Sequence, residues 1–257
     1  MDERQTTGRT ADQTDALIAL LDIGDTMSGA SELRARSYEL LGVAPGAAVV
    51  DVGCGPGRAV AEMTERGARG VGVDVDERMV AAAGKRWPAA DFRVANAYEL
   101  PFADGDLRGY RAEKVYHVLD DPARGLVEAR RVLAPGGRIV LIGQDWDTFV
   151  IDAADAALTR AIVHARADLV RAPRVVRRSR ELLLDAGFTD VTVEVRTGVF
   201  TDATMLPVLA DLAEGACSSG AVSVAQAETW LAEQRERGRR GRLFLALPMF
   251  VTAATRR

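Results

Sequence analysis

The stretch "VVDVGCGPGRAV", residues 49–60, decides how this chain folds. Three of its first four residues are valines, which favour a short buried strand. Glycine and proline then interrupt that strand at Gly53, Gly55, Pro56 and Gly57. "GRAVAEMTERG" follows and predicts a helix. Such an interruption serves either a simple turn or a ligand that lies so close to the backbone that side chains are excluded.

Strands and helices alternate along the chain after this stretch. Short apolar segments recur as "AAVVDVG", "GVGVDV", "DFRVANA", "GYRAEKVYHV" and "RIVLIGQD", and helical segments separate most of them. This alternation is typical of βαβ units in a parallel sheet that is covered on both faces. "DVTVEVRTGVF" and "RLFLALPMFVTAAT" predict further strands, and Pro248 favours an edge or a bulge in the second. The sequence therefore predicts an α/β fold with a seven-stranded, mostly parallel, doubly wound sheet and helical cap elements.

The composition argues against several classes of function. The 257 residues carry a net charge of −4 and lack the basic balance that general nucleic-acid binding needs. Cys54 and Cys217, like His117 and His164, have no disulfide or zinc-ligand spacing. The sequence has neither a run of about 18 apolar residues nor an apolar signal core at its N-terminus. We therefore expect a cytoplasmic protein with no metal, no nucleic-acid partner and no membrane partner.

The spacing of the glycines argues against one kind of nucleotide loop. The dinucleotide fingerprint G-x-G-x-x-G would need its third glycine at position 58, which is Arg58. The pattern here is instead Asp51-x-Gly53-x-Gly55-x-Gly57. A dehydrogenase is therefore not expected, although a strand, a glycine loop and a helix in this order still predict a nucleotide-type ligand.

A second signal comes from Asp74, which ends the strand "GVGVD". Ligands of open α/β sheets lie outside the carboxyl ends of the strands, where an acidic residue accepts hydrogen bonds from ribose hydroxyls. Asp76 is better explained as the N-cap of the following helix. Asp74 is therefore the candidate ribose-binding residue.

Five motifs occur in order, namely "VVDVGCGPGR", "GVDVDERMV", "NAYELPF", "AEKVYHVLDDP" and "RRVLAPGGRIVL". Together they resemble class I S-adenosylmethionine-dependent methyltransferases, of the branch that includes menaquinone/ubiquinone-biosynthesis and natural-product methyltransferases. The resemblance covers roughly residues 40–145. It implies a Rossmann-like fold, methyltransferase activity and S-adenosyl-L-methionine as the cofactor.

The resemblance also implies which residues hold this cofactor. Asp51 would orient the loop near the cofactor's amino group, the loop glycines would carry its methionine part, and Asp74 would hold its ribose. Asn96 stands where the family usually has Asp, and its side-chain oxygen can still accept a hydrogen bond from the adenine amino group. The implied cofactor-binding set is Asp51, Gly53, Cys54, Gly55, Gly57, Asp74, Val75, Met79, Asn96, Ala97 and Arg111.

The resemblance and the sequence also suggest the parts played by four further members of this set. Val75 and Met79 would lie against the adenine, and Arg111 is near the end of the fourth strand, where the backbone often meets the methionine amino group. Cys54 is interpreted as a small loop residue, because no neighbour in the sequence would activate its thiol.

The residues around the reacting methyl group should follow the fourth and fifth strands. His117 is the candidate general base, since an imidazole takes up a proton near neutral pH, and it could instead only pack beside the cofactor or cap a helix. Asp145 could orient His117, take the proton itself or serve as a cap. Tyr116 and Trp146 are candidate substrate contacts, although Trp146 could equally belong to the core.

The motifs predict a single methyltransferase domain over residues 1–257, in which residues 1 to about 10 are disordered. Its expected parts are an N-terminal helical cap at 1–45, a cofactor-binding core at 46–145, substrate-side helical segments at 146–188 and 202–238, and closing strands at 189–201 and 241–255.

The leading hypothesis for function is methyl transfer to a small molecule at O, N or an activated C, as in secondary metabolism. Apolar segments outside the core favour a roofed hydrophobic pocket, although helix packing alone produces the same pattern. A relative that keeps the cofactor but catalyses another step, such as a cyclisation, and a non-enzymatic cofactor-binding protein are the alternatives. The sequence leaves the oligomeric state open, with a homodimer among the options.

Overall fold

A computed structural model describes residues 11–27 and 29–257. The expected disorder of residues 1 to about 10 lies outside the described residues. The strands are β1 (Ala48–Val52), β2 (Arg69–Asp74), β3 (Asp91–Val94), β4 (Leu107–Glu113), β5 (Leu133–Gln144), β6 (Val150–Ile151), β7 (Phe188–Phe200) and β8 (Leu245–Arg256). The α-helices are α1 (Ala11–Thr26), α2 (Ala30–Leu41), α3 (Arg58–Glu65), α4 (Glu77–Arg86), α5 (Pro122–Val132), α6 (Ala156–Asp168), α7 (Val175–Asp185), α8 (Leu206–Ser218) and α9 (Val224–Arg239).

The strands form one sheet in the order β3-β2-β1-β4-β5-β8-β6, and β7 also pairs with β8. β1 to β5 are parallel, whereas β8 runs antiparallel to β5, β6 and β7. The predicted α/β class and mostly parallel sheet are confirmed. The described residues contain eight strands rather than seven, because two residues after β5 pair with β8 as the short strand β6.

The valines of the opening stretch explain why β1 is central. Val50 and Val52 pack into the apolar core on the face covered by α5 and α7, while Val49 packs with α2 and α3 on the other face. A strand that is buried on both faces has no room for the alternating polar residues of a half-exposed strand. The glycine loop therefore emerges from the rigid middle of the sheet.

A single backbone conformation ends β4. The stretch "GYRAEKVYHV" contains the end of this strand, as the sequence predicts, and the ladder stops at Glu113, where Lys114 adopts a left-handed φ of 56°. A short 3₁₀ turn, Tyr116–Val118, follows. His117 consequently lies beyond the carboxyl end of β4 and not within the sheet.

The helical segments outside the sheet form a second apolar core. Residues from α6, α8 and α9 surround Trp230, whose indole nitrogen donates to Thr159 Oγ1 at 3.0 Å. Phe149 and Trp146, which follow β5, join the same cluster. The cap is thus packed onto the carboxyl-end edge of the sheet. Over residues 11–27 and 29–257, the helices are too short or too polar to cross a bilayer.

Pro248 lies within β8, a strand with neighbours on both sides, rather than on an edge strand. β5 ends opposite Met249, and β6 pairs with Leu245 and Ala246. Pro248 therefore occupies the gap between the ends of β5 and β6, where its missing N–H removes no hydrogen bond to either of them.

Candidate functional site

The glycine loop owes its conformation to contacts within the protein as well as to space for a ligand. Gly53, Gly55 and Gly57 all have left-handed φ, at 66°, 51° and 88°. A Cβ on Gly53 would overlap the Val115 side chain, and one on Gly57 would lie 2.6 Å from the Phe92 ring. Of these three glycines, only Gly55 has room for a Cβ, whose nearest neighbour would be Leu21 at 3.4 Å. Gly53 is the exposed glycine of this loop, whereas Gly55 and Gly57 are buried.

Hydrogen bonds from β2 and α4 hold this loop in place. The amides of Gly53 and Cys54 donate to Val73 O at 2.8 and 3.0 Å. The Trp87 indole nitrogen donates to Pro56 O at 3.0 Å. Burial raises the pKa of the Cys54 thiol, and the nearby carboxylates add to this rise. The thiol stays protonated, which fits its interpretation as a small loop residue.

Asp74 joins the loop to the end of β2. Its Oδ2 accepts from the amide of Gly55 at 3.1 Å, and its Oδ1 accepts from the amide of Asp76 at 3.0 Å. Asp76 caps α4, because its Oδ1 accepts from the amide of Arg78 at 2.9 Å. Two backbone amides thus fix this carboxylate beside the glycine loop, at the carboxyl end of β2.

The other proposed adenine contacts line the same edge of the sheet. Val75 is 56 % exposed beside Asp74, whereas Met79 lies on the buried face of α4. Asn96 follows β3, and its Oδ1 already accepts from the amide of Tyr98 at 3.0 Å. Ala97 is buried. Because β1, β2 and β3 are neighbours in the sheet, these residues form one continuous strip.

A buried ion pair lies directly beneath the loop. Arg111 Nη1 on β4 is 2.8 Å from Asp51 Oδ1 on β1, and Nε donates to Ser37 Oγ at 3.0 Å. Arg111 Nη2 also pairs with Glu113. Burial raises the pKa of Asp51, and the charge of Arg111 offsets only part of the rise. The Arg111 side chain is therefore part of the loop's support.

Helix α1 covers the open side of the loop. Leu21 is the side chain nearest to the space beside Gly55. Asp25 pairs with Arg58 at 2.8 Å and with Arg34 at 3.1 Å. A further pair joins Asp22 to α4. Acidic side chains of α1 thus hold it against α2, α3 and α4.

His117 lies at the carboxyl end of β4 with aromatic neighbours. Its ring centroid is 5.5 Å from that of Trp146, which is in turn 6.0 Å from Phe149. Burial, together with the positive charges of Lys114 and Arg166, lowers the pKa of His117 to about 4. The ring is therefore neutral at physiological pH, as a general base must be before it accepts a proton.

Asp145 contacts an arginine rather than His117. Its two oxygens bind Arg177, with Nη2 at 3.0 Å from Oδ1, and Oδ1 also accepts from the amide of Asp147 at 3.0 Å. No hydrogen bond joins it to His117 within the described ranges. The structure thus does not bring the two proposed catalytic residues together as a pair.

Tyr116 is turned into the core. Its hydroxyl shares a hydrogen bond of 3.1 Å with Tyr110, and its ring belongs to the cluster beneath α5. Burial raises its pKa well above the usual range. Tyr116 therefore supports the turn that carries His117, whereas Trp146 lies on the cap side with Phe149.

Sequence reasoning overlooked Gln144, the last residue of β5. It is 9 % exposed, and among the described residues no group hydrogen-bonds its Oε1. The signal was present in "RIVLIGQD", where a polar residue closes a continuous apolar strand at its ligand-binding end.

Comparisons with known proteins agree with this geometry. Residues 50–141 match a family described as "Methyltransferase domain". An "Uncharacterized 37.1 kDa protein in transposon TN4556" from Streptomyces fradiae is 33% identical over 92% of this chain and 70% of its own length. A demethylmenaquinone methyltransferase from Beutenbergia cavernae is 33% identical over 42% of this chain. The chain belongs to the class I S-adenosylmethionine-dependent methyltransferases.

This methyltransferase spans only 45% of the Beutenbergia relative's length. Among solved structures, Haemonchus contortus phosphoethanolamine N-methyltransferase 2 in complex with S-adenosyl-L-methionine has a TM-score of 0.62. The likeness covers 96% of this chain and 58% of that chain at 15% identity, and so concerns the fold.

The residues of this methyltransferase fit S-adenosylmethionine as its cofactor. Gly53 leaves an exposed backbone just after β1, and Asp74 holds a carboxylate at the end of the neighbouring strand β2. When bound, the cofactor supplies a methyl group that its sulfonium activates for displacement. The protein itself has to position the acceptor, exclude water and, for an acceptor that carries a proton, receive that proton.

Proposed function

We propose that this methyltransferase transfers its methyl group to a small organic acceptor at O, N or an activated C. One observation supports this most directly. Val115 packs against Gly53, so the turn that carries His117 lies beside the glycine loop and under the aromatic cluster of the cap. A neutral base, the cofactor loop and an apolar wall therefore converge at one edge of the sheet.

In this proposal His117 receives the acceptor's proton, and Trp146 walls the acceptor pocket. Asp145 contributes indirectly, since Arg177 holds its carboxylate at the start of the loop that carries Trp146. Asp51 and Arg111 support the glycine loop through their ion pair. The proposal also keeps the cofactor contacts that the sequence predicts.

The proposal extends to the setting of the reaction. The proposal includes a role in secondary metabolism, a cytoplasmic location and the absence of a nucleic-acid partner. These three parts rest on the composition and motifs of the sequence. The apolar cap around Trp146 and Phe149 favours an organic acceptor of moderate size over a polymer.

Mass spectrometry tests this function. The protein is incubated with S-adenosylmethionine and a panel of phenols, amines and enolisable carbonyl compounds. Methyl transfer adds about 14 Da to an acceptor and releases S-adenosylhomocysteine in equal amount. An isomerised product of unchanged mass, without S-adenosylhomocysteine, would instead establish a step such as cyclisation. Binding of S-adenosylhomocysteine without turnover of any acceptor would contradict the proposal.

A further inference from the structure

Two buried polar atoms at the end of β5 lie where the proposed acceptor would bind. Within the described part of the chain, no acceptor pairs with Trp146 Nε1, and no donor pairs with Gln144 Oε1. Buried polar groups in folded proteins almost always have hydrogen-bond partners, because an unpaired group has lost its water without replacement. Gln234 and Arg256 also have unpaired buried atoms, but of the residues that the structure describes only Gln144 and Trp146 place two of them at the ligand-binding end of a parallel strand.

The Trp146 indole is held by contacts that leave its nitrogen out. Its backbone amide donates to Pro173 O at 3.1 Å. The rings of His117 and Phe149 flank it, and Arg166 Cζ lies 4.8 Å from its centroid. Packing thus fixes the ring without using the N–H, which remains available as a donor.

Gln144 is placed by the strand itself. It pairs with Met249 of β8 and is the last residue of the ladder, on the side of the sheet where Ile142 faces α2. Trp146 lies in the turn that follows β5, where Asp145 O accepts from the amide of Thr148 at 3.1 Å. His117 lines one cavity with Gln144, and its ring centroid is 5.5 Å from that of Trp146, so one small molecule beside His117 can contact both side chains.

We propose that Trp146 and Gln144 determine acceptor specificity by binding a hydroxylated aromatic carbonyl compound. This inference rests on the proposed small-molecule methyl transfer. The indole N–H donates to the carbonyl oxygen, the Gln144 Oε1 accepts from the hydroxyl, and the aromatic side chains contact the flat ring. A site built to pair both groups discriminates against analogues that lack either one, because a buried atom is then left unpaired.

Binding of three related probes to the complex with S-adenosylhomocysteine tests the inference by calorimetry. The probes are 7-hydroxy-1-tetralone, 1-tetralone, which lacks the hydroxyl, and 6-hydroxytetralin, which lacks the carbonyl. We expect the parent protein to bind the first about tenfold more tightly than either analogue. Equal affinity for the three probes, or no binding of the first, overturns the inference without any variant.

Two variants assign the groups. Trp146→Phe should weaken binding of 7-hydroxy-1-tetralone about tenfold but leave 6-hydroxytetralin unchanged, and Gln144→Leu should weaken it similarly but leave 1-tetralone unchanged. The matched controls are Trp230→Phe and Gln234→Leu. Trp230 Nε1 donates to Thr159 Oγ1, and Gln234 Nε2 donates to Asp152 O, whereas Gln234 Oε1, like that of Gln144, has no partner in the described part of the structure but lies in the cap, away from the end of β5. The assignment is contradicted if a variant loses the same affinity for every probe, whichever group the probe carries. It is also contradicted if the control variants lose as much affinity as Trp146→Phe and Gln144→Leu do.

Measurements of thermal stability and of cofactor affinity distinguish a loss of acceptor binding from a loss of folding or of cofactor binding. Trp146→Phe should lower the melting temperature less than Trp230→Phe does, since both lose packing but only the second breaks a hydrogen bond, to Thr159. Affinity for S-adenosylhomocysteine should be unchanged in all variants. Methyl transfer to other acceptors, with no preference among the three probes, would leave the proposed function standing and refute this inference alone.

Discussion

Replacing Asp74 with asparagine removes one negative charge from the end of β2 and leaves the shape of the side chain almost unchanged. In the parent, the carboxylate oxygens accept from the amides of Gly55 and Asp76 at 3.1 and 3.0 Å. We expect the same carboxylate to accept from the ribose hydroxyls of the cofactor. An asparagine keeps one accepting oxygen and turns an N–H₂ donor toward the place of the other.

The magnitude follows from these contacts. A hydrogen bond to a charged group contributes about 1.5–3 kcal/mol, so the two ribose bonds together contribute about 3–6 kcal/mol. Asp74→Asn loses one bond and weakens the other, a loss of about 3 kcal/mol or roughly 100-fold in affinity. Asp74→Ala loses both and should approach 10⁴-fold at the upper end of the range.

Calorimetry with S-adenosylhomocysteine measures this loss, against a parent affinity expected to be about micromolar. Asp76→Asn is the matched control, because it removes the same charge two residues away and asparagine caps a helix as well as aspartate does. Urea denaturation should show that Asp74→Asn changes the unfolding free energy by only about 1 kcal/mol. If Asp74→Asn binds S-adenosylhomocysteine as tightly as Asp76→Asn does, Asp74 does not hold the ribose.

Four further outcomes are expected. Arg111→Leu leaves the buried carboxylate of Asp51 and the partly buried one of Glu113 without their cation and should lower the unfolding free energy by about 3–5 kcal/mol, and a loss below about 1 kcal/mol in urea denaturation would refute the role of this pair. His117→Gln should reduce turnover by about 10²–10⁴-fold. Because the pKa of His117 is about 4, the parent's turnover should stay level as the pH falls through 6.5, where an acid limb would contradict this setting. Asp25→Asn removes the partner of two arginines and should speed hydrogen exchange in α1 alone, so unchanged exchange there would show that packing holds the helix.

Local signals in the sequence were sufficient for the loop and for the order of the sheet. A run of valines, closed by glycines that adopt φ above +50°, predicts a strand and a tight turn because both depend on neighbouring residues only. The position of Asp74 after the next strand follows from the same kind of signal, since the carboxyl ends of parallel strands share one edge. The family resemblance could be recognised from the sequence because its motifs lie in these local elements, and the comparisons with known proteins confirm it.

Helix boundaries and strand ends were harder to predict from the sequence. The end of β4 depends on one left-handed residue, Lys114, whose type does not favour that conformation. Its amide donates to Ile142 O at 2.8 Å on the neighbouring strand, so the contact that stabilises the turn is remote in sequence. The sequence therefore predicted that His117 follows the fourth strand, but not that a turn carries it out of the sheet.

The sequence by itself determined the parallel core, the glycine loop and the acidic residue beside it, because alternation, turn propensity and spacing act over a few residues. Only the tertiary structure decided which charges meet. Asp145 is 32 residues before Arg177, yet it binds that arginine instead of His117. Gly53 is required by Val115, 62 positions later, as much as by any ligand. Such pairings depend on how helices pack across the sheet, and no local pattern records the geometry of that packing.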